Sequence, residues 1–130
     1  MSAPGRRYDG FAPGRHSIDG YGRGGFAFAG MTHRGSVLAL PSGVHIWRVT
    51  TPEEITVESL APLFAEPAGA VELLLVGTGD ELRPLSPPLR AALADAGIRA
   101  DSMATGPAAR TFNVLFAENR RVAAALIAVD

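Results

Sequence analysis

From Ile18 to Val49 the apolar residues come in short pieces cut by glycine and proline: Phe26–Ala29 before Gly30, Ser36–Leu40 before Pro41-Ser42-Gly43, then Val44–Val49. Runs of this length between turn-forming residues predict three short strands. Thr51 and Glu54 have the spacing of a capping box, and Thr56 offers a second start. A helix is therefore expected to open near one of them and bury Leu60, Leu63 and Phe64, with Pro62 limiting or kinking it. Val71–Val76 is a nearly continuous apolar run ending in Gly77-Thr78-Gly79, the pattern of a central strand covered on both faces by helices.

Helical spacing returns after Ser86-Pro87, where proline at the first turn loses no hydrogen bond. Leu89, Leu93 and Ala96 fall on one face and Gly97 ends the helix. Ile98–Met103 reads as a strand. Thr105-Gly106-Pro107 reads as a second helix start, followed by Ala108, Phe112, Leu115 and Phe116 at helical spacing, with Asn119 able to take the left-handed conformation that stops it. Arg121–Val129 is a last strand. The order from residue 71 is strand, helix, strand, helix, strand, after a glycine-rich antiparallel segment, so the fold class is α/β, a mixed central sheet with an N-terminal β extension.

Composition narrows this picture. At 130 residues, 47% of them hydrophobic, one core and one domain are expected, over residues 16–130. Residues 1–15 hold Pro4, Gly5, Gly10, Pro13 and Gly14 with little periodicity and are expected to form a flexible arm. The chain has no cysteine, which excludes disulfides, thiolate chemistry and cysteine-ligated zinc. No apolar run has spanning length and no apolar segment follows Arg6-Arg7, so a soluble, cytoplasmic protein without membrane insertion is expected. All twelve basic residues are arginine, and with abundant Ala, Gly and Pro this points to a GC-rich, bacterial genome. The net charge of −1 supplies no field to recruit nucleic acid, although Arg6, Arg7, Arg15, Arg23 and Arg34 make the first third locally basic.

Candidate chemistry is sparse. His16, His33 and His45 are widely spaced, so neither a metal nor another cofactor is expected, and no serine lies in a Gly-x-Ser-x-Gly elbow. No catalytic residue is assigned. Tyr21-Gly22-Arg23-Gly24-Gly25-Phe26 resembles an RNA-binding Arg-Gly-Gly unit but, as a single copy beside strand residues, reads as a glycine-rich bend. Gly77, Thr78, Gly79 and Asp80 form either a plain turn or a ligand loop at a strand carboxyl end. Thr105, Arg110 and Asn113 form either a helix cap with a solvated arginine or an anion or peptide site. Arg110 is expected to be partly exposed near the 77–80 loop.

The second half carries a more specific signal: Val76–Asp80, Gly97-Ile98, Thr105, Ala109–Asn113, Glu118, Arg120 and Val122–Ile127, with Gly24–Phe26, Trp47 and Ile55–Leu60 before it. Over roughly residues 18–128 this resembles the small domain family that includes the mitochondrial NADH dehydrogenase (complex I) assembly factor 3 and the adipogenesis-associated domain protein. The resemblance is most specific from Thr105 to Ile127. It implies a three-layer α/β domain with a β-hairpin, a protein partner, and a role in assembling or stabilising complexes, without catalytic residues to carry over. Relatives often have Cys where Ala109 stands and Gly where Asn119 stands, so a thiol-based role does not transfer. The leading expectation is a non-enzymatic assembly or interaction factor tied to respiratory or membrane-complex biogenesis. The alternative is a small-molecule (anion) binding protein or enzyme using the 77–80 and 105–113 loops.

Overall fold

The computed structural model describes residues 6–130, and side chains from Tyr8 onward. Two strands, β1 (Arg6–Arg7) and β2 (Phe11–Pro13), are followed by β3 (Gly20–Gly22), β4 (Gly25–Phe28), β5 (Met31–Arg34), β6 (Ser36–Leu40) and β7 (Gly43–Trp47). After two 3-10 turns come α1 (Ala61–Phe64), β8 (Leu73–Gly77), α2 (Pro87–Asp95), β9 (Arg99–Met103), α3 (Thr105–Ala117) and β10 (Val122–Leu126).

Six strands form one mixed sheet in the order β2-β7-β6-β10-β8-β9, and a smaller sheet has the order β1-β5-β4-β3. β8 runs parallel to both β9 and β10, as helical crossovers require, whereas β6 pairs antiparallel with β7 and β10. Alternation along β8 sorts its side chains between two cores. Leu73 and Leu75 face α3 and the small sheet, packing with Phe26, Phe28 and Phe112. Leu74 and Val76 face α1 and α2, packing with Leu60, Leu63, Leu89 and Leu93. The domain therefore has three layers, with the mixed sheet in the middle.

Both long helices end as their sequences dictate. Gly97 has φ +74° and Asn119 φ +60°. Each follows a terminus where the Ile98 and Arg120 amides reach back to Leu93 and Leu115, and the Gly97 and Asn119 amides to Ala94 and Phe116. This paired pattern is the Schellman motif, which satisfies carbonyls the helix leaves open. Ala96, expected on the buried face of α2, is instead its exposed C-cap.

The expected N-terminal β extension is present: β3, β4 and β5 are successive antiparallel strands, and β1 completes this second sheet. The structure departs from expectation at two further places. The arm expected over 1–15 is partly strand: β1 pairs with β5, β2 pairs with β7, and Arg15 lies 4.7 Å from the Phe116 ring centroid while donating to Asn119 Oδ1 at 3.0 Å. Residues 1–5 lie outside the described residues. Last, the Thr51 start yields no long helix. The Glu54 carboxylate accepts the Thr50 and Thr51 amides at 2.8 and 3.0 Å, yet the segment continues as 3-10 turns into a single turn of α1. With Pro62 in that turn, burial of Leu60 and Leu63 is reached without helical propagation. Among the described residues no helix is long and apolar enough to cross a membrane.

Candidate functional site

The β8 run ends where α3 begins, and Gly77 is what lets them meet. A Cβ on Gly77 would lie 2.9 Å from Thr105 Cα and 3.0 Å from a Leu126 methyl, closer than packed atoms approach. The next residues close a buried knot. Thr78 N–H donates to the Met103 carbonyl at 2.8 Å, and its hydroxyl donates to the Glu81 carbonyl at 2.6 Å while accepting the Arg83 amide at 3.0 Å. Thr105 N–H donates to the Gly79 carbonyl at 2.8 Å. Its hydroxyl accepts the Gly79 amide at 3.0 Å and donates to the Ile127 carbonyl at 2.7 Å. Ile127 N–H in turn donates to the Gly77 carbonyl at 2.9 Å.

Gly77, Thr78, Gly79 and Thr105 are thus brought together at the carboxyl ends of β8, β9 and β10, and Asp80 stands exposed beside them. The amides of Thr78, Gly79 and Thr105 spend their hydrogen bonds inside the chain. Thr105 does not cap α3, because the N-cap is Ala104 and Thr105 is the first helical residue with its side chain turned inward. A threonine before a glycine-proline pair reads as a cap from sequence, and only the position of Ile127 reveals its other use.

Arg110 and Asn113 point elsewhere. Asn113 clamps the backbone of Ile18, its Oδ1 accepting the Ile18 amide at 2.8 Å and its Nδ2 donating to the Ile18 carbonyl at 2.7 Å. Arg110 is exposed and donates to the Tyr21 hydroxyl at 2.7 Å. Tyr21 lies over the first turn of α3 because Gly106 is bare there: a Cβ on Gly106 would come within 2.6 Å of the phenol oxygen. Tyr21, Gly106, Ile18 and Ile127 were not singled out from sequence. The sequence marks Tyr21 only within a glycine-rich bend, Gly106 only within a helix start and Ile127 only within the last strand.

Among the histidines, His33 packs edge-on against Tyr8, ring centroids 4.8 Å apart, and its Nε2 is buried without a partner. Burial pushes its pKa below the usual 6.5, opposed in part by a hydrogen bond with the Ser36 backbone; burial lowers His45 likewise, opposed by Glu66. The unfolded chain then binds more protons than the folded one once the pH drops to the ordinary imidazole value. The stabilisation is complete above 6.5 and is lost as the pH falls below it. Thermal scans from about pH 7 to about pH 5 should show a falling Tm, with a shallower slope in His33→Gln. A slope unchanged by the substitution would remove His33 from the account.

Residues 18–127 match the model of a family described as a protein of unknown function (DUF498/DUF598). An uncharacterized protein of Rhodobacter capsulatus is 42% identical over 121 residues, covering 93% of this chain and 90% of its own length. NADH dehydrogenase (ubiquinone) 1 alpha subcomplex assembly factor 3 of Xenopus tropicalis is 34% identical over 110 residues, 85% of this chain, and the matched part is 60% of that relative's length. In three dimensions the chain is similar to the crystal structure of an outer membrane protein from Bartonella henselae, with a TM-score of 0.86 and 49% identity over 91% of this chain and 98% of that one.

Proposed function

The chain belongs to the DUF498/DUF598 family, and from that premise we propose that it is a non-catalytic assembly factor, acting in the cytoplasm through a protein partner during biogenesis of a respiratory membrane complex. The observation that carries this reading is the extent of the likeness to assembly factor 3 over residues that make up the folded domain. The knot supports it as well, since Gly77, Thr78, Gly79 and Thr105 use their polar groups to join strand ends and leave Asp80 and Arg110 as the exposed members of the group. We assign Arg110 to partner contact, and Asn113 to fixing the segment that carries Tyr21 over it.

The test is deletion of the gene in its native organism followed by native gel electrophoresis of the respiratory complexes. Loss of assembled NADH dehydrogenase, with accumulation of subcomplexes and rescue by the intact chain, is the expected result; normal assembly would defeat the reading. Arg110→Ala should rescue less well while its Tm stays within a few degrees of the parent, because an exposed arginine contributes only about 0–1 kcal/mol to folding. A large fall in Tm with full rescue would make Arg110 a structural residue.

A further inference from the structure

The small sheet has an outer face built unlike the rest of the molecule. Register places Gly20, Ala27 and Thr32 in one row and Gly22, Gly25 and Arg34 in the next. The intervening row, Tyr21, Phe26 and His33, points the other way: Phe26 enters the core, His33 packs on Tyr8, and Tyr21, itself exposed, reaches over α3 to Arg110. The outer face is therefore floored by glycine and alanine, and a cavity of about 390 Å³ lies against it. Arg23 and Arg34 line that cavity, both exposed. Neither guanidinium has an ion-pair or hydrogen-bond acceptor among the described residues, where the ion pairs join Arg120 and Arg121 to Glu72.

Arg23 is held there against its own conformational preference. It occupies the first position of the two-residue turn between β3 and β4, with φ +54°, and Gly24 follows at +78°. Positive φ at both positions belongs to the type I′ hairpin turn, which favours Asn, Asp or Gly at the first. The turn is fixed by Gly24 N–H to the Val129 carbonyl at 2.8 Å and Gly35 N–H to the Gly24 carbonyl at 2.7 Å, so the arginine does not relax. A strained residue that folding does not require is a pointer to function.

Charge selects the occupant. Among the described residues the charged groups lining the cavity are Arg23 and Arg34, with no carboxylate beside them, so this site is positive while the chain as a whole is slightly negative. That local sign suits carboxylates, which guanidinium groups bind through paired hydrogen bonds. A nucleic-acid strand fits less well: it needs exposed aromatic platforms and a broad positive field, whereas Tyr21 is bonded to Arg110 and the net charge is −1. Resting on the reading that the chain works through a protein partner, we propose that this cavity docks an acidic, extended segment of that partner, with Arg23 and Arg34 gripping its carboxylates. β3 is an edge strand, so main-chain groups are open to such a segment.

The experiment titrates the full chain, labelled with nitrogen-15, with a short peptide alternating glutamate and leucine, and in parallel with a lysine–leucine peptide and a single-stranded oligoribonucleotide. The glutamate peptide should shift the amides of residues 20–27 and 32–34 and bind more weakly as salt rises. Arg23→Gly and Arg34→Ala should each weaken it about threefold, and the double variant about tenfold. Arg23→Gly should match or exceed the parent Tm, because glycine suits the turn, so a loss of binding there is not a loss of fold. Arg90→Ala, on α2, should bind like the parent. Shifts confined to other residues, parent-like binding by both cavity variants, or preference for the oligoribonucleotide would overturn the proposal. Loss of complex assembly in the deletion strain alongside a silent titration would discard this site and leave the assembly role standing.

Discussion

Leu74→Ala should cost about 2–5 kcal/mol of unfolding free energy, because the removed side chain leaves a cavity that its neighbours only partly fill. Leu74 has no solvent exposure and packs between the sheet and α2, among Leu38, Leu89 and Leu93. Its strand neighbours at the same level are Ala100 and Ala123, too small to reach into the space. Urea unfolding should show a lower midpoint at an unchanged m-value, and Tm should fall by about 10 °C or more for a domain of this size. A loss under about 1 kcal/mol would mean that β8 is not packed on both faces, and the three-layer arrangement would fail with it.

Thr105→Val should be nearly as damaging although the two side chains are almost the same size. Thr105 has no solvent exposure, and its hydroxyl is at once acceptor for the Gly79 amide and donor to the Ile127 carbonyl. Valine fills the volume and leaves both backbone groups without that partner, each at about 1–3 kcal/mol. The expected loss is about 2–4 kcal/mol, with amide exchange accelerating first at Gly79 and at the carboxyl end of β10. Thr105→Ser, which keeps the hydroxyl, should retain most of the stability. Equal losses in the two variants would show that the methyl group, not the hydrogen bonds, matters here.

Comparison of Leu74, Thr105 and Arg110 shows where sequence reasoning reached and where it stopped. Leu74 was legible because a continuous apolar run followed by glycine is what a doubly covered strand needs, whatever covers it. Thr105 was noticed for the wrong duty: its place before Gly106-Pro107 fits a cap, but its hydroxyl serves a strand end 22 positions later. Arg110 was expected to be partly exposed near the 77–80 loop; it is exposed and donates instead to a tyrosine 89 positions earlier, a contact not readable from either segment.

What the sequence determined by itself is what short-range physics encodes: the alternation of strands and helices after residue 71, the left-handed stops at Gly97 and Asn119, and the sorting of alternate β8 residues to two faces. These follow from side-chain periodicity and backbone conformational preference within a few residues. The tertiary structure alone decided that β10 inserts between β6 and β8, that residues 8–15 pack on the domain, and that the Tyr21–Arg23 hairpin presents a glycine floor flanked by arginines. Each depends on which distant segments become neighbours. That choice is made by the summed burial of two cores and by backbone groups finding partners across the chain, and no local pattern records it.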